Sequence, residues 1–432
     1  MSVAEMEENM SIQGESAFTL LKKLEFTRTA GTQEEFRAVK MLEEEVQKAG
    51  VPFHMEAFEI DEALEPKAIL KVMAPYEKEY VVTGYKCCAS TPKEGITAEL
   101  LYVENAMAVN LADAKGKIVL VNSKLKVPQY KRMMEAGVAG FITMGGSMLD
   151  EEHKTDLEVC KVRKNMAQYG IVPAAHIRIA DAFELVSEKA TTVNLWVENT
   201  NITLDSHNLI ARIEGTTNPE EVIVFGGHYD SVPFSKGVYD NGAGSVILVE
   251  LLKYFKANPP KRTLEFVWFG SEEIGLQGSW NYVKTHKEEL EAQCRMMVNI
   301  DVAAPVLGFE HIAITGPAQL EHYTDYWTKI HGYAVMVMSG TYSSDSIPFA
   351  DNGIPAINIS RDGVVGGAFM HSRHDVIKYL SAESLSKTIE LIQNYTEELI
   401  NAVVFPVKKE IPEDIKGNID KYMYRGKWAN LD

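Results

Sequence analysis

From Asn201 onward the chain repeats one pattern, a short uninterrupted apolar run followed by a stretch of helical character. The runs are EVIVFGG (221–227), TLEFVWFG (263–270), MMVNID (296–301), HIAITG (311–316) and PAINIS (355–360). A strand with one wet face alternates polar and apolar residues, whereas a run that is apolar throughout is covered on both faces. Between the runs, GAGSVILVELLKYFKA (242–257) places Val246, Val249 and Leu252 or Lys253 on successive turns, and SAESLSKTIELIQNYTEELINAVV (381–404) is a long helix. The expected fold is α/β, a mainly parallel mixed sheet flanked by helices.

The chain before Asn201 divides in two. Thr32 and Glu35 form a T-x-x-E capping box, Phe36, Val39, Leu42 and Val46 follow at helical spacing, and Gly50 is a stop signal. VPFHMEAFEI then reads as a strand. From about Asp61 to Val197 the character changes. GKIVLVNS (116–123), QYKRMMEAG (129–137) and VAGFITM (138–144) make a small β-α-β unit. Residues 151–170 are polar and expected to loop out, and PAAHIRI (173–179) returns as a strand followed by the helix ADAFELVSEK. A chain of 432 residues is long for one core. The expectation is a larger lobe made of 1–60 and 200–432, interrupted by a smaller β-rich α/β domain over 61–199. The polar tail, with Tyr422, Tyr424 and Trp428, reads as a strap packed on the body.

The net charge of −18, from 43 basic and 61 acidic residues, argues against a nucleic-acid partner, which requires a positive patch. No apolar run approaches the ~20 residues of a membrane span, and the acidic opening MSVAEMEENMSIQGES has no secretory h-region. The cysteines Cys87, Cys88, Cys160 and Cys294 fit no zinc knuckle and no disulfide framework. A cytoplasmic protein is expected.

In an open α/β sheet, ligands bind beyond the carboxyl ends of the strands. There, EVIVFGG is followed by His228, Tyr229 and Asp230, TLEFVWFG by Ser271, Glu272 and Glu273, and MMVNID ends in Asp301. The loop after His228 adds Asp240, and the loop after PAINIS adds His371. His374 competes with His371 for that place; His153, His176, His311 and His322 have no ligand-like company. Carboxylates gathered at one edge repel one another unless cations sit among them. A mixed His and carboxylate set suits zinc, and two ions sharing a carboxylate account for five ligands.

The stretches GGHYDSV, VYDNGAGSVILVELL, FVWFGSEEIGLQGSWNYV, VNIDVAA, SDSIPFADNGIPAINI and MHSRHD resemble the twenty-eighth metallopeptidase family. That family holds the co-catalytic zinc aminopeptidases, and its relatives include glutamate carboxypeptidases and the transferrin receptor ectodomain. The resemblance runs from about Glu25 to Val404 and implies the zinc-exopeptidase (phosphorylase/hydrolase-like) form of the fold. It implies that His228 and Asp301 hold one zinc, that Glu273 and His371 hold the other, that Asp240 bridges them, and that the Asp240–Asn241 peptide after the bridging aspartate is cis. Cobalt or manganese would be substitutes. Glu272 would be the general base acting on a metal-bridging water, and Asp230 would orient His228. Tyr342 is the nearest oxyanion donor, one residue off the family spacing, and Ser346 stands where the family often has His. GKIVLVNSKLKVPQYKRMMEAGVAGFITM resembles a protease-associated (PA) domain.

The implied function is removal of residues from the free amino end of peptides. A carboxypeptidase or dipeptidase of the same family is the alternative: Arg361 would suit a substrate carboxylate and Asp362 an amine. A non-catalytic binding protein on this fold is the remote alternative, and such members have lost ligands that this chain keeps. Large peptidases of this type often self-associate, so a homo-oligomer is among the expected partners.

Overall fold

The computed structural model describes residues 3–63, 66–122, 125–150 and 156–426. The chain forms two compact units, one of Met1–Ile60 with Asp205–Met423, the other of Asp61–Leu204 joined by residues from Tyr424 onward.

In the first unit the strands lie in the order Phe53–Ala63, Asn201–Ile213, Arg262–Phe269, Asn218–His228, Cys294–Ile300, Ala356–Gly363, Gly308–Thr315 and Val335–Ser339. The central strands Arg262–Phe269, Asn218–His228, Cys294–Ile300 and Ala356–Gly363 are mutually parallel. Antiparallel pairs flank them, Asn201–Ile213 on one side and Gly308–Thr315 on the other. The uninterrupted apolar runs have a direct cause. Ile223, Phe225, Leu264, Phe266, Trp268, Met296 and Val298 point into one apolar cluster, with the helices Val3–Lys23, Gln33–Ala49, Ala243–Ala257 and Ala382–Asn401. Their alternates Val222, Val224, Val267, Phe269 and Met297 point into another, with Tyr282, Val283, Leu290 and Phe349. Successive side chains of a strand face opposite ways, so both sets must be apolar.

The helix Gln33–Ala49 forms where its spacing predicts, and Gly50 ends it in the left-handed conformation at φ 66°. Two details differ from expectation. Phe36 is 45 % exposed and lies against the ring of His207. The capping box is also only half formed: Thr32 Oγ1 accepts from Glu35 N, but the Glu35 carboxylate does not return to Thr32. Its Oε2 takes Gly31 N instead, and its Oε1 reaches away to Ser206 and Ser271. The tail contains the helix Glu413–Tyr422, whose Ile415 and Ile419 pack on Ala350 and Ile411.

The second unit has its own eight-stranded sheet, in which Ile96–Tyr102, Ile118–Val121, Gly140–Gly145 and Ala174–Arg178 are parallel neighbours. The helix Val127–Glu135 links two of them, as the β-α-β pattern requires. Tyr130, Phe141, Ile142, Val193 and Leu195 build its core, and Tyr85, Thr143 and His176 form a buried hydrogen-bonded chain. Residues 151–155, His153 among them, and Trp428 lie outside the described residues. The rest of the polar stretch is irregular apart from one helical turn, Lys164–Ala167.

Candidate metal centre

The parallel strands deliver their chemistry at one edge. His228 is the last residue of its strand, Asp301 follows directly on its neighbour, and Ser271–Glu273 follow one residue, Gly270, after theirs. The peptide Asp240–Asn241 is cis. The Asn241 amide donates to Ile300 O at 2.8 Å and accepts from Gly244 N and Val302 N, tying the helix Ala243–Ala257 to the end of the central strand.

The expected residues come together in two groups, His228 with Glu272 and Asp301, and His371 with Asp240 and Glu273. Asp240 faces both: one oxygen is 3.3 Å from His228 Nε2, the other 3.1 Å from His371 Nε2. Asp301 stands 3.4 Å from His228 Nε2 and Glu273 3.1 Å from His371 Nε2. Asp230 is buried against His228 Nδ1 at 3.4 Å. Its carboxylate also accepts Glu272 N at 2.9 Å and Glu273 N at 3.1 Å.

The electrostatics are those of crowded acids around two imidazoles. Burial pulls His228 down, but Glu272, Asp230, Asp240 and Asp301 outweigh it and hold the ring well above its usual value. His371 is pushed up to about 11 by Asp240 and Glu273. Burial would raise Asp240, yet the two imidazoles hold it below the ordinary carboxylate range. Burial, then the neighbouring acids, push Glu273 to about 7 and Glu272 well above its usual value. A divalent-cation site fits these residues. Both nitrogens of His228, Glu273 Oε1 and Asp301 Oδ1 are buried without a hydrogen-bond partner among the described residues. Buried polar atoms in native proteins are satisfied, and donor sets of imidazole nitrogen and carboxylate oxygen are zinc ligands.

Tyr342 lies close enough to Asp301, Asp362 and Asp240 for their charges to add to burial in holding its phenol proton on. His374 is exposed beside Phe369 and belongs to neither group. Arg361 is bound to Glu310 at 3.0 Å and to Pro305 O. Asp362 is held by His311 Nδ1 and Ser360, so His311, itself buried, has a partner that its sequence surroundings did not announce. Three further groups escaped sequence reasoning. Asp345 is fully buried beside His228 and pushed up to about 7 by burial. Asp375 accepts Tyr239 N at 2.7 Å and Asp240 N at 3.1 Å. Arg28, also buried, donates to the carbonyls of Leu24, Phe26, Tyr229, Lys236 and Gly237, fastening the loop between His228 and Asp240. Asp375 closes H-S-R-H-D and Asp345 stands in SDSIPF, both quoted motifs, whereas Arg28 stands in none.

Residues 208–396 match the family model Peptidase family M28. Over 96 % of its length the chain is 25 % identical to aminopeptidase YwaD of Bacillus subtilis, covering 90 % of that protein. It is 30 % identical to carboxypeptidase Q of Rattus norvegicus over 62 % of its length, covering 60 % of that protein. The crystal structure of BSAP, a zinc aminopeptidase from Bacillus subtilis, superposes with a TM-score of 0.75 at 22 % identity, over 93 % of this chain and 98 % of that one. A peptidase M28 precursor from Shewanella amazonensis gives the same TM-score at 21 % identity, over 95 % and 99 % of the two chains. The matched segment, which spans all five expected ligands and Glu272, is a peptidase family M28 domain.

Proposed function

We propose that this metallo-exopeptidase is a di-zinc aminopeptidase. The observation that carries the reading is the Asp240 carboxylate, one oxygen turned to His228 and the other to His371. His228 and Asp301 would hold one zinc, Glu273 and His371 the other, with Asp240 shared. Two such cations, when bound, supply Lewis-acid polarisation of the scissile carbonyl and ionise water near neutral pH.

The protein's own groups do the rest. Glu272, buried among acids that raise its proton affinity, takes a proton and returns it to the leaving amine. Asp230 holds the backbone of Glu272 and Glu273 and steadies His228. Tyr342 keeps its proton and donates it as a hydrogen bond to the developing oxyanion. Arg361 is already engaged by Glu310, which favours recognition of an amine over a carboxylate. The carboxypeptidase or dipeptidase reading keeps one support, the 30 % identity to carboxypeptidase Q. The second unit would be a PA domain. We place the protein in a reducing, cytoplasmic setting, because the spacing of its four cysteines fits no disulfide framework. Among the described residues no helix is long and apolar enough to cross a membrane.

The test is cleavage of matched peptides with a free or acetylated amino end, with zinc and after chelation. Cleavage of the free-amine peptide alone, abolished by chelation and cut at least ~100-fold in Glu272→Gln, supports the reading. Release of residues from the carboxyl end of both peptides overturns it.

A further inference from the structure

The Glu272–Glu273 turn is held at three successive amides by two buried carboxylates. Asp230 accepts Glu272 N and Glu273 N. The amide just before them, Ser271 N, goes to Glu35 Oε1 at 2.9 Å, and Ser271 Oγ goes to the same oxygen at 3.0 Å. Ser206 Oγ is a third donor to it at 2.9 Å. Glu35 is 2 % exposed, and its other oxygen is fixed by Gly31 N at 2.7 Å. Ser271 has φ 57°, a left-handed conformation that a non-glycine residue keeps only where its surroundings impose it. Glu35 is the side chain that takes both the amide and the hydroxyl of Ser271 in that conformation. Its helix belongs to the segment before residue 61, so the contact spans residues 61–204 in sequence.

We propose that Glu35 is a positioning residue for Glu272 and Glu273, acting through Ser271. It touches neither substrate nor the proposed metal ligands. It sets the direction in which the turn leaves the strand Arg262–Phe269, and with it where both carboxylates point. This rests on the reading of Glu272 as the base, so the test includes an arm that does not depend on that reading.

In the full-length protein, amide hydrogen exchange is followed in the 270–276 segment, with and without zinc. Glu35→Ala should speed exchange there by roughly tenfold or more while the strand Cys294–Ile300 stays protected. In the same variant kcat should fall roughly 10- to 100-fold with KM within about twofold, and zinc should bind roughly tenfold more weakly. Glu35→Gln keeps an acceptor for Ser271 N and should restore local protection and most of kcat. In a Glu272→Gln background at saturating zinc, Glu35→Ala should lower the residual rate several-fold less than it lowers that of the native enzyme, because one of the two carboxylates it positions is gone. Unchanged exchange at 270–276 in Glu35→Ala overturns the proposal, as does full additivity with Glu272→Gln. If the alanine variant does not fold, Glu35→Asp takes its place. Its shorter side chain cannot span Gly31 and Ser271 together, so the same changes are expected, and unchanged exchange or full additivity overturns the proposal in the same way. An active Glu272→Gln enzyme with the predicted exchange pattern would remove the base reading and leave the positioning intact.

Discussion

Asp230 and Asp375 each accept two consecutive backbone amides, Glu272 and Glu273 in one case, Tyr239 and Asp240 in the other. An amide side chain cannot reproduce this, because one of its two ends donates. Asp230→Asn should therefore lower zinc affinity and kcat each by roughly 10- to 100-fold with little change in fold, measured by chelator competition and steady-state kinetics. An unaltered zinc affinity would count against Asp230 as the support of this site. These contacts explain which residues the sequence made legible. His228, Glu272, Glu273 and Asp301 end buried strands, so apolar runs pointed to them. Asp240 and His371 stood in motifs. Arg28 and Glu35 work through hydrogen bonds to backbone or serine across more than 200 residues, and such bonds leave no spacing in the chain.

Among the elements, the helix Gln33–Ala49 shows how local chemistry and burial combine. Val39, Leu42 and Val46 face the core, while Gly50 reverses the chain in open space, with nothing near the position a Cβ would take. Gly50→Ala should then cost about 1 kcal/mol, from the left-handed backbone alone. Leu42→Ala in the same helix should cost roughly 2–5 kcal/mol, since it empties a fully buried site. Urea unfolding of the two variants separates these causes, and equal losses would contradict the distinction between them. The strands apolar throughout were legible because no other surroundings tolerate them. The edge strand Val335–Ser339 was not: VMVMS is an apolar run, yet at the sheet edge its side chains are half-buried or exposed, so burial did not mark it. The helix Val3–Lys23 escaped for a related reason: the acidic opening of the sequence distracts from the apolar positions Ala17, Leu20 and Leu21, which are buried.

For the molecule as a whole, each unit has its own sheet and its own apolar core. Both proposed zinc sites are built from residues of the first unit. Calorimetry should resolve two transitions, and chelation should lower only one of them. A ligand present at 100 times its Kd stabilises the state that binds it by about 2.7 kcal/mol per site. A chelator-induced shift in both transitions, or in neither, would count against this assignment.

The first unit is discontinuous along the chain, and this has a consequence for its synthesis. The segment that ends at Ile60 leaves the ribosome with Leu20, Leu21, Leu42 and Val46 looking for a sheet that does not yet exist. Residues 61–204 must be translated first, and at roughly 5–20 residues per second that takes on the order of ten seconds or more. The second unit completes its own core during that interval, while the nascent amino-terminal helices stay sticky. A holding chaperone would find its target there, and a stalled ribosome at that stage would present an aggregation-prone arm beside an already folded domain.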